Sequence, residues 1–114
     1  MIAGAVPRSG ERIHPATRSF QGLRIQINDE LGELERALPV LRDALAPAGR
    51  LCAIAFHSLE DRIVKRYFRD SARAPEFGQA PGPRFALVTR KPVYPSDAEC
   101  AANPRARSAR LRVL

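Results

Sequence analysis

The chain reads as an α/β protein. Three observations carry this: leucine-rich helical periodicity over residues 20–45, an unbroken apolar run at 51–56, and a second helical pattern that begins within two residues of that run. Helix, turn, buried strand, tight corner and helix is the order in which α/β sheets are built.

The elements follow in chain order. Residues 1–15 carry Pro7, Gly10 and Pro15 and form a connecting segment. Pro15 suits a helix's first turn, so a helix starts close to it. Phe20, Leu23, Ile27, Leu31, Leu34, Leu38, Leu41 and Leu45 recur at steps of three or four, with Asp29, Glu30, Glu33 and Glu35 on the opposite face. Pro39 lacks the donor that a helix interior needs, which predicts a kink or break there and a second short helix over 39–46. "APAGR" (46–50) ends it with turn chemistry.

"LCAIAF" (51–56) suits a strand buried on both faces, as under the helices of a parallel sheet. Cys52 within it reads as a small buried side chain. Ser58 is the expected N-cap of the next helix, with Asp61 three residues later in the place of a capping-box acid. Leu59, Ile63, Val64, Tyr67 and Phe68 form that helix's apolar face to about Asp70. Residues 71–84 are rich in proline and read as a flexible loop, "FALVT" (85–89) as a second strand, and "RKPVYPSD" as turns. In "RSARLRVL", Ala109, Leu111 and Val113 alternate with Arg110 and Arg112, which predicts a strand with one face exposed.

With 114 residues and 45% apolar side chains, the chain offers one domain's worth of core at most, or part of a larger domain. Its net charge is +7, and seventeen of its nineteen basic residues are arginine. Arginine's planar fork suits phosphate, which favours a polyanion partner, although a high-GC genome also enriches arginine. From Arg62 onward there are twelve basic and four acidic residues, so the basic character belongs to the second half. Cys52 and Cys100 form no metal-binding or disulfide pattern, and no run reaches the roughly 18 apolar residues of a membrane span. A cytoplasmic location with no membrane partner is expected; the oligomeric state is left open.

Four constellations could carry chemistry. His57 and Ser58 stand where a strand ends and a helix begins, the place where open α/β sheets bind ligands. His57 is thus either a group that bonds substrate or moves a proton, or a corner residue bonded to a backbone carbonyl. Arg62, Lys65, Arg66 and Arg69 share one helix face and could grip phosphates, or could be a solvated face. Arg105 and Arg107 follow the Asn103–Pro104 turn in an arginine-dense segment suited to backbone phosphate. His14 and Arg18 flank a helix start, a weak anion signal. No glycine-rich loop follows a strand, so no cofactor-binding residues are assigned in this chain, and no metal ligands.

Taken together, "HPATRSFQGLRIQINDELGELERALP" (14–39), "APAGRLCAIAFHSLEDRIVKRYF" (46–68) and "NPRARSARLRV" (103–113) closely resemble a known family; "KPVYPSDAEC" (91–100) fits more loosely. It is the family of bacterial S-adenosylmethionine-dependent methyltransferases that modify N4 of a cytidine in small-subunit ribosomal RNA. The resemblance implies that residues 1–114 are the C-terminal part of a class I, Rossmann-like methyltransferase sheet, with a parallel strand at 51–56 followed by an antiparallel end. It implies His57 and Ser58 at the substrate cleft, and His14 and Arg18 at its rim. Arg62, Arg66, Arg105 and Arg107 would hold RNA phosphates. The cofactor, S-adenosylmethionine, would be bound by sequence outside this chain, so the fragment alone is expected to be inactive and poorly folded. A truncated or split reading frame would account for Met1 falling in mid-domain sequence. The partner would be ribosomal RNA or the ribosomal subunit; the alternative from the residues alone is a non-catalytic basic RNA-binding module.

Overall fold

A computed structural model describes residues 15–73 and 85–114. His14 and most of the predicted 71–84 loop lie outside the described residues. The chain divides into two compact units, residues 1–33 and 34–114.

In the first unit, α1 (Pro15–Asn28) begins on the proline, as expected, and leads through Asp29 into α2 (Glu30–Asp43), whose residues from Leu34 onward belong to the second unit. The break in the helical stretch therefore falls at Asp29, not at Pro39, which α2 carries in its interior. Asp29 takes a left-handed backbone (φ 49°), a conformation that aspartate tolerates better than most residues. Gly32 sits against it: a Cβ there would lie 2.6 Å from Asp29 Oδ2. Across the corner, Arg24 pairs with Glu30 through Nε (2.9 Å) and Nη2 (3.0 Å), and Asn28 Nδ2 donates to the same carboxylate. Phe20, Leu23 and Ile27, spaced three and four apart on α1, are exposed.

The second unit is organised around a two-stranded antiparallel ladder. β1 (Cys52–Ala55) pairs with β2 (Arg110–Val113), Cys52 opposite Val113 and Ala55 opposite Arg110. Reciprocal bonds between Leu51 and Leu114, both 3.0 Å, extend it by one pair. Directly opposed residues share a face. Ala53 and Ala55 therefore lie with Arg110 and Arg112, and α3 (Ser58–Ser71) packs on this sheet. Val64 and Phe68 of α3 close a core with Leu38 of α2 and Leu114, and Leu34, Leu51, Ile63, Tyr67, Phe85 and Leu87 pack around it.

Several expectations are not met among the described residues. Cys52, Ile54 and Phe56 are exposed, so within this chain the 51–56 run is covered on one face only. Among the described residues β1 has a ladder partner on one edge, and that partner is antiparallel. Residues 85–89 form no strand: Val88 and Thr89 both donate to the single carbonyl of Val113, and Thr89 Oγ1 accepts from the Val113 amide, which caps the end of β2 without continuing a ladder. Pairing resumes only at Val93, bridged to Leu111 by two 2.9 Å bonds. The arginines of β2 are also not on an exposed face. Arg112 is 6% exposed and Arg110 half-buried, because Asp61 of α3 meets both.

The turn-rich stretch after Val93 contains a helix that periodicity did not reveal, α4 (Asp97–Ala102), capped by Ser96 Oγ on the Glu99 amide at 3.2 Å. A 3₁₀ turn (Pro104–Ser108) follows, with Asn103 Oδ1 accepting from the Arg105 amide. No helix among the described residues is long and apolar enough to cross a membrane.

Candidate functional site

The corner between β1 and α3 is built by reciprocal capping. His57, not Ser58, is the N-cap: its backbone is extended (φ −140°, ψ 165°) and its Nδ1 accepts from the Glu60 amide at 3.3 Å. Glu60 Oε2 returns to the amides of Phe56 (2.9 Å) and His57 (3.3 Å). Two otherwise unpaired helix-start donors and one strand-end donor are satisfied by this one exchange. The signal for it was present as His-x-x-Glu, with histidine in the place usually taken by serine or threonine.

The cap also fixes the ring. An Nδ1 that accepts carries no proton, so the ring proton lies on Nε2. Nε2 is buried and 3.2 Å from Glu60 Oε1, in a geometry that forms no hydrogen bond. Using Nδ1 as a base would break the cap. Ser58 is exposed on the first turn beside it.

Asp61 does not serve the cap. It is 8% exposed and receives Arg112 through Nε (2.7 Å) and Nη2 (3.1 Å), and Arg110 through Nη1 (3.3 Å). The Arg112 hydrogen bond, helped by the charges of Arg112 and Arg110 and opposed by burial, holds the carboxyl below its ordinary 3.8. This buried cluster ties α3 to β2 and thereby aims the corner. Nothing local in the sequence pointed to it, because the partners are 51 and 49 residues apart.

Arg62 and Arg66 are exposed and line a groove of about 480 Å³ between α2 and α3, together with Glu35, Arg42 and Asp70. Within this unit, the Arg42 guanidinium stands 5.7 Å from the Tyr67 ring centre and 5.5 Å from that of Phe85. Arg105 and Arg107 are exposed on either side of the buried Ala106 in the 3₁₀ turn, which packs against α4. The fold thus places His57, Ser58, Arg62 and Arg66 on one helix and Arg105 and Arg107 on another element. Arg18 lies on α1, in the first unit, with its side chain outside the described residues.

The described residues thus build a mixed α/β unit whose strand ends in a capped, histidine-bearing corner, with exposed arginines on the helix that follows. Residues 1–114 match the sequence model of the MraW methylase family throughout, and the chain belongs to that family. It is 57% identical, over 98% of its length, to the protein named ribosomal RNA small subunit methyltransferase H of Methylorubrum populi, and covers 34% of that relative. The proteins of the same name from Magnetococcus marinus and Caulobacter vibrioides are 58% and 51% identical over 90% and 92% of this chain, which covers 36% of each. The chain thus spans about a third of the length of the curated relatives it matches.

Proposed function

We propose that this chain supplies the C-terminal part of an S-adenosylmethionine-dependent methyltransferase that modifies N4 of a cytidine in small-subunit ribosomal RNA, in the cytoplasm. The observation that carries this reading is the 57% identity, across nearly the whole chain, to a protein named as a ribosomal RNA small subunit methyltransferase. In this reading the open edge of β1 takes a parallel strand of a class I sheet, and the exposed Ile54 and Phe56 are covered by the rest of the enzyme.

S-adenosylmethionine, when bound, supplies a methyl group on a positively charged sulfur. The described residues do not fit its cradle: β1 is followed by Phe56 and His57, and no glycine-rich loop follows a strand among them. What this chain contributes is placement of the acceptor. The lone pair of the cytosine amino group is delocalised into the ring, so the amine reacts only when oriented and kept from water. It is also reached only in a base turned out of its stack. His57 and Ser58 are the polar groups at the strand end suited to hold that base; Ser58 is exposed, whereas His57 Nε2 is buried and takes part only if uncovered. Arg62, Arg66, Arg105 and Arg107 hold RNA phosphates.

The exposed arginines equally favour a second reading, a non-catalytic RNA-binding module. Substituting this chain for the matching third of the Methylorubrum populi relative separates the two. Transfer of a radiolabelled methyl group from S-adenosylmethionine to small-subunit RNA supports the enzyme reading. A folded chimera that binds RNA and transfers nothing, beside an active parent, rejects it.

A further inference from the structure

The four basic side chains of α3 do not form one stripe. Arg62 and Arg66 line the α2–α3 groove, which also holds the acids Glu35 and Asp70. Lys65 and Arg69 line a different pocket, with Arg90, Arg112 and Thr89 around the apolar Phe68 and Leu87, and no acidic side chain lines it. Its volume is about 70 Å³, roughly the room of two water molecules. A small pocket whose charged lining is all basic suits a single anionic group.

The charge around this pocket has one sign. Lys65, Arg69 and Arg90 are exposed cations. Arg112, the buried cation of its lining, shares the Asp61 carboxylate with Arg110, so two guanidinium charges meet one negative charge. Arg69 has only an exposed 3.5 Å contact with Asp70, of the kind that contributes little. Thr89 adds a hydroxyl whose oxygen accepts from the Val113 amide, which leaves its own proton to donate.

We propose that the pocket formed by Lys65, Arg69, Arg90 and Thr89 binds a backbone phosphate of an RNA strand, and that it is a stronger phosphate site than the Arg62–Arg66 groove. That the phosphate belongs to RNA rests on the function proposed above; the preference for a phosphate-sized anion rests on the pocket alone.

The test is fluorescence anisotropy of the full chain with a labelled single-stranded RNA oligonucleotide over a series of salt concentrations. Replacing Lys65, Arg69 and Arg90 together by glutamine weakens binding by about tenfold or more and makes the salt slope shallower by about 2, at ~0.7 per lost contact. The Arg62→Gln, Arg66→Gln pair loses less. A charge-keeping variant (Lys65→Arg, Arg69→Lys, Arg90→Lys) stays close to the parent, which shows that charge and not folding is read. Unchanged affinity and slope in the triple glutamine variant would overturn the proposal. So would a triple glutamine variant that keeps RNA affinity and salt slope but loses the parent's stabilisation by millimolar inorganic phosphate in thermal melting, which would assign the pocket to free phosphate. A methyltransferase chimera without activity, beside a triple variant that still loses RNA binding, rejects the enzyme reading and leaves the pocket standing.

Discussion

Arg112 donates to both oxygens of Asp61, at 2.7 and 3.1 Å, and so fastens the first turn of α3 to the last strand of the chain. Both residues are buried, and Arg110 reaches the same carboxylate at 3.3 Å. The corner bearing His57 is aimed by this contact, since His57 precedes Asp61 by a single helical turn.

Breaking the pair from one side strands a buried charge. Asp61→Asn keeps the shape and removes the countercharge of Arg112, a change that costs about 3 to 5 kcal/mol in buried pairs. Urea denaturation of the two proteins measures it. Replacing both partners together, Asp61→Leu with Arg112→Met, costs less than Asp61→Asn alone, because no charge is then left unpaired.

The same pair makes stability depend on pH on the acid side. Asp61 titrates below its ordinary 3.8 in the folded chain, so the unfolded chain takes up the proton first as pH falls. Its contribution is complete above about pH 4 and is lost as pH drops through the lowered folded value. Melting temperature against pH falls in that window, and the fall is shallower in Asp61→Asn.

His57 has a structural duty that can be separated from a chemical one. His57→Ala removes an N-cap and costs about 1 kcal/mol. His57→Asn, which restores a capping oxygen, recovers most of that stability by thermal melting. If His57 Nε2 also holds the substrate base, the asparagine variant in the methyltransferase chimera stays stable and loses methyl transfer. A mere cap predicts that stability and activity recover together.

Helices were legible wherever one face repeats at three and four residues, as Leu59, Ile63, Val64, Tyr67 and Phe68 do on α3. The break at Asp29 was missed because Pro39 gave the louder local signal, while the turn depends on a left-handed aspartate packed against Gly32. α4 is six residues long, too short for a periodic face, yet Ser96-x-x-Glu99 announced its start. The burial of Arg112 could not be read locally: alternation in β2 marks two faces but not which one is covered, and Asp61 decides that from 51 residues away. The corner at the end of β1 is legible as a place but not as a geometry, because Ser58 carries the stronger capping signal while His57 takes the N-cap.

The most direct measurement is nucleoside mass analysis of small-subunit RNA after incubation with S-adenosylmethionine and the chimera carrying this chain. The account predicts one new methylated nucleoside, N4-methylcytidine, absent when the chimera is omitted. A folded, RNA-binding chimera that yields no N4-methylcytidine, or places the methyl group on another atom, would contradict it.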